Sequence, residues 1–208
     1  MIILEGGCQV SQGAPLSGQA IALRMLELAA GGRLAESARD QVLYVLRGQG
    51  RVRLGDAVHE VAADTGLYLP GGVALAVERG PLACACVDTP AQGRPDARPH
   101  LARRAEKEAR PTGDRWYQVL IDEQVTQFVG GIPPGRAPDH YHQYEEVLVI
   151  LSGRGLMWAG RSSAPIAAGS CIYLPRRQVH CVENTGSGEL CLLGVFYPAG
   201  SPAVRYPA

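Results

Sequence analysis

The stretch HYHQYEEVLVILSG, residues 140–153, places His140 and His142 one residue apart, follows them with Glu145 and Glu146, and then runs into an unbroken apolar segment. Imidazoles and carboxylates are the usual ligands of divalent transition metals. On a strand, residues i and i+2 share a face, so His140 and His142 can converge on one point. Glu146 joins that face if the extended geometry persists, and Glu145 then points the other way. Burying such groups is costly unless something satisfies them, and a divalent metal does so directly. A lone H-x-H is a weak signal, because paired histidines also occur at surfaces and in hydrogen-bonded cores.

The elements that position these residues belong to an internal repeat. Residues 40–75 lie without a gap on residues 145–180, a constant offset of 145 − 40 = 105. Val42/Val147, Leu43/Leu148, Gly48/Gly153, Gly50/Gly155, Gly55/Gly160, Tyr68/Tyr173 and Pro70/Pro175 coincide, so the chain reads as a tandem duplication. Each copy consists of short runs rich in Val, Leu, Ile and Tyr, punctuated by Gly-x-Gly and by a Pro after a YL pair. This is the pattern of antiparallel strands and hairpins. Subtracting the offset from His140, His142, Glu146 and His180 gives Ala35, Ser37, Gln41 and Leu75, so the first copy lacks the chemistry of the second.

Two patterns stand in the second copy: H-x-H-x3-E-x6-G over residues 140–153, and a Gly, Pro, His and Asn series at Gly169, Pro175, His180 and Asn184. These closely resemble the two sequence motifs of the cupin superfamily. The resemblance implies an all-β chain of two tandem cupin barrels, each a double-stranded β-helix or jelly roll. It also implies one divalent transition metal (Fe, Mn, Ni, Co or Zn), held in the C-terminal barrel by His140, His142, Glu146 and His180. The expected organisation is an N-terminal barrel without metal ligands over 1–92, a Pro-rich charged linker over 93–112, and the metal barrel over 113–208. Within the linker, LARRAEKEAR (101–110) reads as one solvated helical turn.

The chain departs from the family pattern twice. Four residues separate Gly135 from His140 where five are usual, and Arg177 stands where the family usually has Gly. An Arg there implies a turn without positive φ, and a cation close to His180 that either anchors an anionic substrate or is simply solvated. Tyr141, Trp158, Tyr173 and Phe196 are expected either to wall the substrate site or to be core. The resemblance favours a dioxygenase-type oxidoreductase acting on a small molecule. The alternatives are a metal-dependent isomerase or lyase on a sugar-like or keto acid substrate, and a non-enzymatic small-ligand sensor.

Composition narrows the partners. Twenty acidic and twenty basic side chains cancel, which argues against nucleic acid and anionic lipid as partners. No run approaches a membrane span, and MIILEGGCQVSQG does not resemble a secretory leader, so a cytoplasmic location is expected, with homodimerisation left open. The six cysteines lie mostly in apolar strand-like runs and read as buried reduced thiols.

Overall fold

The computed structural model describes residues 1–13, 15–91, 93 and 96–207. Strands dominate, as the apolar runs and turn signals predict, and the helical segments among the described residues are two 3-10 turns, Glu5–Gly7 and Arg104–Glu106. The second is the solvated turn expected within LARRAEKEAR, although His100–Arg103 immediately before it is a strand. Arg94 and Pro95 of the expected linker, and Gln92 at its boundary, lie outside the described residues. No helix among the described residues is long and apolar enough to cross a membrane.

The chain divides into two compact units, Met1–Ile21 with Glu108–Ala208, and Ala22–Lys107. These limits differ from boundaries at 92 and 113 because terminal segments pair away from their sequence neighbours. Gln9–Gln12 lies antiparallel to Ser170–Leu174, with Gln9 opposite Tyr173, and belongs to the C-terminal unit. His100–Arg103, within the segment expected as linker, lies antiparallel to Thr65–Leu69, with His100 opposite Tyr68, and belongs to the other unit. The repeat survives this exchange, since Tyr68 and Tyr173 are equivalent positions.

In the unit Ala22–Lys107, the strand Asp40–Leu54 pairs along its first half with Thr65–Leu69 and Leu82–Thr89, and along its second half with Ala57–Ala62 and Leu75–Arg79. One strand thus contributes to two sheets that close over a core including Leu43, Val45, Val52, Leu67, Leu69, Leu75 and Val77.

The C-terminal unit repeats the arrangement, but the long strand is broken into Glu145–Ser152 and Arg154–Ala159. The first piece lies between Ser170–Leu174 and Leu190–Tyr197 and is buried on both faces, which explains its unbroken apolar run. The second pairs with Ser162–Ala167 and His180–Asn184. Ser162–Ala167, at a sheet margin, alternates between buried and exposed residues instead.

The Gly-x-Gly pairs mark where the chain passes from one sheet to the other. Gly48 and Gly153 have φ of 95° and 86°. A Cβ on Gly50 or Gly155 would stand 1.9 Å from the carbonyl oxygen of Arg79 or Glu183, so only glycine lets the facing strands approach.

Candidate metal centre

His140 and His180 face each other in adjacent antiparallel strands, His140–Tyr141 and His180–Asn184. The strand of His140 is flanked on its other side by Tyr206–Pro207. His142 follows the end of its strand, and a bend at Gln143–Tyr144 carries the chain into the other sheet, where Glu146 sits opposite Leu174 and Phe196. Extended geometry therefore does not persist from His140 to Glu146. The residues converge because the chain turns between two sheets, with His180 added across a strand pair that no local spacing reveals.

The histidines' ligand atoms lie within 4.8 Å of one another, an arrangement that can hold a metal ion. His142, His180 and Glu146 are buried, and His140 is half-buried. Each imidazole is oriented through its Nδ1, which donates to a backbone carbonyl: Pro138 at 3.0 Å for His140, Val204 at 3.1 Å for His142 and Gln178 at 2.8 Å for His180. A carbonyl only accepts, so Nδ1 carries the hydrogen and each Nε2 presents a lone pair. Glu146 Oε2 stands 3.5 Å from His180 Nε2 and 3.9 Å from His142 Nε2, fully buried and without a hydrogen-bond partner.

Several acceptors thus face one another with no donor between them, which is stable only with a cation or a proton in their midst. Electrostatics agree. Burial, reinforced by the neighbouring imidazoles, pushes His180 down to about 3 and His142 down to about 4, and burial holds the Glu146 carboxyl up at about 8. The donor set fits a divalent transition ion.

Glu145 does point the other way. Its buried carboxylate accepts the Ala20 N–H at 3.0 Å and the Tyr173 hydroxyl at 3.2 Å. Of the two acids, one faces the histidines and the other ties down the N-terminal segment.

Beside the histidines a pocket opens, lined by Arg115, Trp116, Phe128, Leu148, Leu192, Phe196 and Arg205 together with His140, His142, Glu146 and His180. Of the aromatic residues expected to wall the site, only Phe196 does so. Tyr141 stacks on Tyr206, Trp158 donates to Glu183 beneath the Arg136 guanidinium, and Tyr173 bonds Glu145. Arg177 is exposed, its Nε donating to Gln143 Oε1 at 3.0 Å, and it does not line the pocket. Its φ of 62° corrects the inference that an Arg here means a turn without positive φ. The chain keeps the glycine-type turn because the Arg177 N–H donates to the His142 carbonyl at 2.8 Å. Arg115, Trp116 and Arg205 lie outside both motifs, and no local pattern in the sequence singles them out.

Residues 128–196 match the Cupin_2 family model, described as a cupin domain. They hold all four residues of the centre. Among curated proteins, auxin-binding protein 1 of Arabidopsis thaliana is 34% identical over 70 residues, 29% of this chain and 35% of that protein. An uncharacterized protein of Methanocaldococcus jannaschii is 39% identical over 59 residues, 28% of this chain and 46% of its own length. The chain thus spans less than half of either relative. Among solved structures, Ylba from E. coli superposes with a TM-score of 0.76 at 14% identity, covering 94% of this chain and 92% of that one. A mutant of Bacillus subtilis oxalate decarboxylase gives 0.71 at 16% identity, over 87% and 70%. That decarboxylase has Mn(II) centres. The all-β cupin jelly roll expected from the motifs is the architecture of this chain.

Proposed function

We propose that this chain is a mononuclear metal enzyme in which His140, His142, His180 and Glu146 hold one divalent transition ion, and that it oxidises a small oxygen-bearing organic molecule with dioxygen. The observation that carries this reading is the convergence of three oriented Nε2 lone pairs and the unpartnered Glu146 Oε2 in the lining of a pocket. Bound there, a divalent ion supplies Lewis acidity and, if redox-active, electron transfer.

The chain's own residues then have definite tasks. Phe128, Leu148, Leu192 and Phe196 keep water from the reacting face, and Phe196 packs 4.8 Å from Phe128 and 5.2 Å from the His142 ring. The three carbonyls hold the imidazoles in one tautomer. Among the described residues lining the pocket, Glu146 is the sole carboxylate, so no acid-base carboxylate stands apart from the ligand set. That favours metal-centred redox chemistry over proton-shuttling isomerisation.

The test is metal analysis of protein purified without chelator, followed by turnover of phenolic, enediol and keto acid substrates in an oxygen electrode. Oxygen uptake that tracks metal content supports the reading. Turnover without oxygen uptake transfers it to a lyase or isomerase, a class that includes the decarboxylase sharing this fold. Binding at the metal with no turnover of any class makes the chain a ligand-binding protein, the role named for the Arabidopsis relative.

A further inference from the structure

Apart from the metal-facing residues, the charged groups lining the pocket are two guanidinium groups, Arg115 and Arg205, and nothing in the metal site accounts for them. Arg115 begins the strand Arg115–Asp122, and its side chain is only 12% exposed. Its Nε is fully buried with no hydrogen-bond partner, and the nearest acid oxygen, on the largely exposed Asp114, is 3.6 Å away. Arg205 reaches the pocket from the C-terminal segment, one residue after the carbonyl that orients His142, and is held by a 3.1 Å hydrogen bond to Thr112 Oγ1. Burial disfavours the charge of Arg115, and Arg205 lies close enough to add to that effect.

A buried guanidinium N–H without an acceptor is costly, and two cations lining one apolar pocket repel. An anionic ligand relieves both. Glu146 is the one acid among the described lining residues, and beside a divalent ion its charge is outweighed.

We infer that Arg115 and Arg205 form an anion subsite beside the metal centre, and that the substrate is a small carboxylate whose charged end sits on the guanidinium groups while its other oxygen function faces the metal. The inference rests on the proposed metal site only for what that other end meets. Trp116, Phe128 and Phe196 also line the pocket, so the carboxylate is carried on a compact planar or apolar body.

The experiment is calorimetric titration of the full chain, Co(II)-loaded and after chelator treatment, with pyruvate, benzoate and formate, and with pyruvamide and benzamide as neutral counterparts. The expected result is that at least one carboxylate binds at least tenfold more tightly than its amide. Arg115→Gln and Arg205→Gln, confirmed as folded by thermal unfolding and unchanged in cobalt content, should each remove most of that preference without changing amide affinity. The preference should persist, weakened, in chelator-treated protein. Equal affinity for carboxylate and amide overturns the inference, as does binding of none of the carboxylates. So does a preference that vanishes with the metal and ignores both arginine variants, which would place the carboxylate on the ion. If cobalt fails to load while the preference survives in metal-free protein, the metal reading falls and the anion subsite stands. The wild-type comparison needs no variant, so misfolding of Arg115→Gln leaves the test intact.

Discussion

At the scale of single residues, the candidate metal centre is a set of acceptors locked in place from behind. Without metal, the buried Glu146 carboxyl titrates near 8 while His142 and His180 stay neutral down to about 4 and about 3. Near pH 7, Glu146 therefore holds a proton that a metal must displace, and the histidines hold none to release. We predict that binding one metal ion at pH 7 releases about one proton, falling toward zero by pH 9. Calorimetry in buffers of different ionisation enthalpy measures this, and Glu146→Gln should abolish the release; a release of two or more would mean that the histidines are charged in the free protein. Arg177 presents a separate case. A non-glycine residue at φ 62° carries a backbone strain that glycine does not. Arg177→Gly should raise stability by about 0.5–1 kcal/mol and, because the side chain lies outside the pocket, leave kcat/KM unchanged. Denaturant unfolding and steady-state kinetics check both halves, and a raised KM would return Arg177 to the substrate.

At the scale of elements, the fold depends on close approaches that particular residues permit. Gly155→Ala places a Cβ 1.9 Å from the Glu183 carbonyl oxygen, so strands Arg154–Ala159 and His180–Asn184 must separate. The expected cost is about 1–3 kcal/mol, with weakened metal affinity because His180 begins the second strand. Gly188→Ala meets no atom within 4 Å and should stay within about 0.5 kcal/mol, which makes it the control in the same unfolding assay. The N-terminal strand is a second such element. Leu4, Cys8 and Val10 are buried in the core of the C-terminal unit, and Gln9–Gln12 covers the edge of Ser170–Leu174. Deleting residues 1–13 should cost roughly 4 kcal/mol or more and promote association through the bared edge, read by thermal unfolding and light scattering. Unchanged stability would show that this strand contributes no packing energy.

At the scale of the whole chain, two copies of one pattern have diverged most plainly at the site of the histidines. The Ala22–Lys107 unit places Leu34 opposite Leu75, where the other unit places His140 opposite His180. Subtraction of 105 pointed to Ala35 as the partner of His140, but the loop before the repeat differs by one residue, and the strand register makes Leu34 the equivalent. Both leucines are buried in the core, and the Gln41 amide, at the position of Glu146, donates to Asp88 at 2.9 Å. The space that holds imidazoles in one unit holds aliphatic packing in the other. We therefore predict a metal stoichiometry of one per chain by elemental analysis. His142→Ala should reduce occupancy at least tenfold, while Ser37→Ala leaves it unchanged. A ratio near two, or equal effects of the two variants, contradicts this division of labour.

The repeat, the strand-and-turn grammar, the all-β jelly roll and the three histidines that could hold a metal were legible in the sequence. Period-2 burial, Gly-x-Gly turns and H-x-H spacing are local properties that do not depend on distant partners. Buried reduced cysteines were legible for the same reason: all six are free and buried, and burial pushes Cys8, Cys84 and Cys86 up to about 12. Only the tertiary structure decided that the candidate ligands converge from two sheets through a bend, that the N-terminal strand pairs with the far copy, and that Arg115 and Arg205 rather than Arg177 line the pocket. Each of those facts depends on strand register or on chain segments scores of residues apart. Such pairings are chosen by burial of complementary faces across the whole unit, a non-local free energy that no short stretch of sequence contains.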